Sequence, residues 1–176
     1  MPPLRGPLRK KDSHLWERHP DDWYSEPTWC SARLFKLEKF TGRVVDPAAG
    51  FGRIVHSAMM AGLDHFGADK AERPGNWMRQ DFMERWRGPA LDNIVSNPPY
   101  GIAEKFVVRA LDLAQYKVAM LLPANWVQGD ARSRWPDLAY TPRPAAIAPE
   151  DVRGENKGQL LQGFSLTSLL SQGAKK

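Results

Sequence analysis

Cysteine is nearly absent: Cys30 is the only one in 176 residues. That excludes an internal disulfide and any multi-cysteine zinc site, so no metal centre is expected and a reducing cytoplasm is the natural setting. Long apolar runs are missing too. No stretch of 18 apolar residues occurs, so no membrane-spanning helix is expected. Residues Met1 to Lys11 carry prolines and basic groups but no apolar stretch of the kind a secretory signal needs. A basic core is the third absence. The formal net charge is +5, but residues 1–20 hold five Lys/Arg against two acids and residues 151–176 hold four against two. The stretch between them balances sixteen against sixteen. The excess therefore sits on the two tails, where it can meet phosphates or simply be solvated.

What is present reads as one α/β domain. Residues 1–20 are Pro-rich, charged and without periodicity, and are expected to form a flexible arm. Residues 21–148 carry alternating apolar runs and helical periods, and residues 149–176 form an atypical tail with no clear strand, expected to be a loose helix or disordered. A turn at Pro27 leads into an amphipathic helix whose buried side is Leu34, Leu37 and Phe35. Strands are expected at Arg43–Asp46, His65–Asp69, Gln80–Met83, Leu91–Ser96 and Lys117–Leu122. Helices are expected at Arg53–Ala61, with Ile54, Val55, Ala58 and Met59 inward, and at Ala103–Ala114, with Phe106, Val107, Ala110, Leu111 and Ala114 on one stripe. Strands alternating with helices imply a mostly parallel sheet with helices on both faces.

The first strong motif is Val44-Val-Asp46-Pro47-Ala48-Ala-Gly50-Phe-Gly52-Arg-Ile. A strand ends in an acid, two glycines allow positive φ and close backbone approach, and a helix N-terminus follows with free N–H groups. A strand-to-helix turn that needs glycine only for packing is the plain alternative. No Lys-Ser/Thr follows, so the turn is not a nucleotide-hydrolase phosphate loop. The acid at the strand end would repel a pyrophosphate but suits a cationic ammonium. Asp69, 17 residues after Gly52, stands where an acid accepts from ribose hydroxyls. Asp81-Phe82 closes the expected third strand.

The second motif is Asn97-Pro98-Pro99-Tyr100-Gly101, 45 residues after Gly52, an interval that fits three βα units and puts both motifs on one sheet edge. Two prolines stiffen the loop. An aromatic amino group is a weak nucleophile because its lone pair is delocalised. Two acceptors on its N–H bonds, Asn97 Oδ1 and the Pro98 carbonyl, favour a tetrahedral nitrogen, and Tyr100 offers a surface on which a flipped base can stack. A rigid turn between strand and helix is the alternative here.

Asp46 to Gly52 closely resembles the first motif of S-adenosylmethionine-dependent methyltransferases. With the second motif and Tyr24-Ser-Glu-Pro27 ahead of both, the chain resembles adenine-specific (N6) DNA methyltransferases, small phage- or prophage-borne ones above all, over residues 21–148. The resemblance implies a Rossmann-like methyltransferase fold and S-adenosylmethionine as cofactor. It implies that Asp46, Pro47, Ala48, Gly50 and Gly52 pass its methionine and ribose portion, that Asp69 takes the ribose, and that Asp81 and Phe82 take its adenine. The modified group implied is the adenine amino group in DNA. The tetrapeptide also occurs in methyltransferases of RNA bases and of protein glutamine, and a non-catalytic binding remnant is a further alternative.

Toward the C-terminus the likeness thins. Lys117–Trp126 matches a fifth strand and its loop, and Ala139–Pro144 resembles a late strand, yet Ala145 and Ala146 stand where an aromatic often follows. Trp126 or Trp135 are candidates to replace it, and Arg132, Arg134 and Arg143 to meet phosphates. No separate target-recognition domain is expected, so recognition is expected to come from loops or a partner chain. Residues 151–176 hold one aromatic, Phe164, and do not resemble the aromatic-rich antiparallel strand that closes the family's sheet. The C-terminal strands are therefore expected to be incomplete, with an open sheet edge that favours a homodimer.

Overall fold

Pro27, with φ −64°, ends an extended entry and opens helix α1 (Thr28–Leu37), where Cys30 N–H bonds the Pro27 carbonyl at 3.1 Å. The computed structural model describes residues 25–123, 139–141 and 164–170. The expected arm, Trp126, Trp135, Arg132, Arg134, Arg143, Ala145 and Ala146 lie outside these. The buried stripe of α1 is Cys30, Ser31 and Leu34. Leu37 is 53% exposed, against expectation, because the helix stops at it and Glu38 turns extended, so no further turn carries it over the sheet.

The strands are β1 (Val44–Asp46), β2 (His65–Asp69), β3 (Met78–Arg79), β4 (Asn93–Ser96), β5 (Lys117–Pro123), β6 (Ala139–Thr141) and β7 (Phe164–Leu170). Helix α2 (Arg53–Met60) links β1 to β2, and a 3-10 turn (Tyr100–Ile102) and helix α3 (Ala103–Leu113) link β4 to β5. The sheet order is β3-β2-β1-β4-β5-β7-β6. The first five strands run parallel, and β7 runs antiparallel to both its neighbours.

Four sequence expectations are corrected. Met59 is 47% exposed while Ser57 is buried, because Ser31 Oγ donates to Ser57 Oγ at 2.8 Å and makes a polar contact between α1 and α2. The third strand lies at Met78–Arg79 rather than Gln80–Met83, because Phe82 leaves the sheet to pack on Phe106 with ring centroids 4.6 Å apart. Only one helix, α2, lies between the two motifs instead of three βα units, since irregular segments containing Pro74-Gly75 and Gly88-Pro89 join β2 to β3 and β3 to β4. The tail contains a strand after all. β7 pairs with β5 from Lys117↔Leu170 to Pro123↔Phe164, filling the edge that was expected to stand open.

Alternation along the central strands divides the core in two. Val45, Ile94, Val118, Met120 and Leu122 pack with Phe106, Val107 and Ala110 of α3 on one face. Val44, Val95 and Ala119 pack with Leu34 of α1 and Ile54 and Ala58 of α2 on the other. Buried on both faces, β1 and β4 are rigid platforms for whatever their carboxyl ends carry.

Candidate active site

Strands β1 and β4 are neighbours in register Val44↔Asn93 and Val45↔Ile94, so their carboxyl ends deliver Asp46 and Asn97 to the same edge. An open cleft of about 800 Å³, counting the solvent space at its mouth, lies there. The glycine turn lines one wall with Pro47, Ala48 and Gly50, and Asn97, Pro98, Pro99 and Tyr100 line another. Asp69, Asp81 and Phe82 complete the lining among the expected residues. The structure thus gathers ten of the twelve expected residues on one cleft. Asp46 and Gly52 stand behind it.

The turn is held by its own backbone. Gly50 and Gly52 have φ of 51° and 76°, a region that β-carbons disfavour. Ala49 N–H bonds the Ala68 carbonyl at 2.9 Å, tying the turn to β2. Asp69 Oδ2 accepts from Gly50 N–H at 2.9 Å, and its Oδ1 accepts from Ala71 N–H at 2.9 Å with Arg73 Nε 3.5 Å away. Asp69 therefore does double service, shaping the turn while it faces the cleft. Asp81 Oδ1 accepts from Met83 N–H at 2.8 Å, which fixes the carboxylate on the cleft lining.

Asp46 is buried, and its Oδ1 accepts from Ser96 Oγ at 2.8 Å and from Ala48 N–H at 3.1 Å. Burial, then the charge of Glu26, hold its carboxyl well above the usual range, against the pull of those two bonds; Asp69 adds to the rise. Burial also raises Glu26, opposed by its hydrogen bonds and by Arg53. Cys30, beside them, is pushed up to about 12 by burial and by Glu26, so it is a neutral thiol at physiological pH.

Two residues of the site were not singled out from sequence. Glu26 lines the cleft, accepts from Asn97 Nδ2 at 3.1 Å, and has its backbone carbonyl bonded by Arg53 Nη1 at 2.6 Å. Its one sequence signal was its place in Tyr24-Ser-Glu-Pro27. Trp77 supports the glycine turn from behind: its Nε1 donates to the Gly50 carbonyl at 2.9 Å. A β-carbon on Gly52 or Gly75 would overlap the indole, and one on Gly67 would come within 2.6 Å of Trp77 Cε3. No spacing in the sequence links Trp77 to that turn.

No family model and no curated protein matches the chain. Among solved structures it is similar to the magnesium protoporphyrin IX methyltransferase of Synechocystis PCC 6803 with bound S-adenosylmethionine. The TM-score is 0.55 at 15% identity, over 81% of this chain and 78% of that one. It is also similar to an S-adenosylmethionine-dependent O-methyltransferase from Thermotoga maritima, with TM-score 0.51 at 16% identity, over 81% and 63% of the two chains. At such identities the likeness is one of architecture. The chain has the Rossmann-like methyltransferase fold, five parallel strands flanked by helices.

Proposed function

We propose that this chain is an S-adenosylmethionine-dependent methyltransferase acting on the exocyclic amino group of adenine in DNA. The observation that carries the reading is that the Gly50 turn and Asn97-Pro98-Pro99-Tyr100 line one cleft. The cleft's chemistry suits the cofactor: a close-approach backbone at Gly50 and the Asp69 carboxyl along its wall, with the Asp46 carboxyl buried beside the turn, match a ligand carrying an ammonium and ribose hydroxyls. Asp81 and Phe82, which line the same cleft, would offer a hydrogen-bond acceptor and an apolar surface to the cofactor's adenine. When bound, the cofactor supplies an electrophilic methyl group on a sulfonium.

The residues of the second motif act on the acceptor. Asn97 Oδ1 and the Pro98 carbonyl accept from the two N–H bonds of the amino group and draw its nitrogen toward tetrahedral geometry. The lone pair then faces the transferable methyl. Pro98 and Pro99 hold these acceptors still, so positioning does most of the catalytic work. Tyr100 stacks on the base.

The test is transfer of radiolabelled methyl to DNA, to total RNA and to protein, followed by digestion of labelled DNA to nucleosides. N6-methyl-2′-deoxyadenosine from DNA is the expected product. Label in RNA or protein alone would replace the substrate, and absence of cofactor binding by the folded chain would remove the enzyme reading.

A further inference from the structure

Glu26 belongs to neither motif, yet it touches the residue on which the chemistry turns. It precedes α1, and Arg53, the first residue of α2, anchors its backbone carbonyl. That anchor leaves the side chain to reach Asn97 Nδ2 at 3.1 Å. An amide side chain has two ends of nearly equal shape and opposite polarity, and only its surroundings decide which end faces which way. A carboxylate only accepts. Facing one, the amide must present Nδ2, and the oxygen turns to the other side.

Resting on the amino-group reading above, we propose that Glu26 is a positioning residue: its carboxylate fixes the orientation of the Asn97 amide, so that Oδ1 is the atom offered to the acceptor's N–H. The same bond polarises the amide. Negative charge beside Nδ2 favours the resonance form with charge on Oδ1, which strengthens it as an acceptor when the amino nitrogen becomes positive during transfer. Were the amide turned over, Nδ2 would meet the amino group donor to donor, and the interaction would be lost.

The charge on Glu26 matters, and its surroundings set it. Among the described residues, Arg53 from α2 favours the carboxylate, while Asp46 from β1 and the Cys30 thiol of α1 stand close enough to feel it. Burial raises the carboxyl above the ordinary glutamate range. The orienting bond is therefore complete above that raised value and weakens as pH falls through it, because a protonated carboxyl can also donate.

The discriminating variant is Glu26→Gln, which keeps size and shape but can donate or accept and so no longer dictates the orientation. The first readout needs no turnover: the side-chain amide resonances of Asn97 in ¹⁵N-labelled protein, assigned by their loss in Asn97→Asp. They are expected to move with pH, with a midpoint above the ordinary glutamate value, and to lose that titration in Glu26→Gln. The second readout is kinetic. The variant should lower kcat roughly ten- to a hundredfold, the range for a hydrogen bond to a charged group, with S-adenosylmethionine affinity within about threefold. An Asn97 amide that does not titrate, or titrates unchanged in Glu26→Gln, overturns the proposal. So does a variant that keeps kcat and loses cofactor affinity, which would make Glu26 a cofactor ligand. If the native chain methylates no acceptor, the proposed function fails while the titration still decides whether Glu26 orients Asn97.

Discussion

Ser96 Oγ donates to Asp46 Oδ1 at 2.8 Å, joining by side chains the two strands that carry the glycine turn and the Asn-Pro-Pro-Tyr segment. Both groups are buried, so the bond lies in the core beneath the cleft. It is one of two bonds that lower the Asp46 carboxyl, and burial with two neighbouring acids outweighs them. The apo protein therefore carries an acid it would rather not ionise.

Asp46→Asn should stabilise the apo protein at neutral and higher pH. The folded-state value lies above the unfolded one, so the native state holds its proton longer. That stability is complete below the unfolded value and declines as pH rises through the folded one. Asparagine keeps an oxygen for Ser96 and Ala48 and never has to ionise. Urea unfolding of both proteins from pH 4 to pH 9 should show a difference that grows with pH in the variant's favour; a flat difference would remove Asp46 as its source.

Cofactor binding should release protons. A cation in the cleft favours the charged form of Asp46, which burial disfavours. Affinity for S-adenosylmethionine should rise with pH through that raised value. Calorimetry in two buffers of different ionisation enthalpy would give the proton count directly. Asp46→Ala should weaken binding, and the pH dependence should shrink with it. Affinity independent of pH would argue against a cationic group near this acid.

Asn97→Ala should abolish methyl transfer and leave cofactor affinity within about threefold, since the residue belongs to the second motif and not to the glycine turn. Full activity in this variant would refute the amino-group mechanism.

Trp77→Phe keeps an aromatic ring behind the turn but removes the N–H that bonds the Gly50 carbonyl. Loss of one such bond should weaken cofactor binding about fivefold, with a stability loss of about 1 kcal/mol in urea titration. Because the indole is not part of the cleft lining, kcat at saturating cofactor should stay near the native value. A fall in kcat with unchanged affinity would contradict this placement.

Much of this was legible beforehand, for identifiable reasons. β2 was read at its observed bounds because turn residues flank a compact apolar run, and Asp46, Gly50 and Asn97 could be read because their chemistry is rare at strand ends. Periodicity misjudged Met59 and Ser57, since a buried hydroxyl pair obeys hydrogen bonding rather than hydrophobicity. Gln80–Met83 was read as a strand because Phe82 is apolar, yet its burial is under α3. Residues 151–176 hold one aromatic and so do not resemble an aromatic-rich closing strand, yet the seven-residue antiparallel ladder of β7 needs only backbone and register. Glu26 was missed because its partner, Asn97, is 71 residues away.

The indole of Trp77 also bears on how this chain can change. Gly52, Gly67 and Gly75 come from three separate segments, yet each is barred from a β-carbon by the same ring. Alanine at position 67 or 75 should be harmful alone and far better tolerated once position 77 is a small residue, so their double-mutant energies will not add. Gly52 differs, because its φ of 76° keeps it glycine even without the ring. Those positions are thus steps on one mutational path, ordered by which residue at 77 goes first.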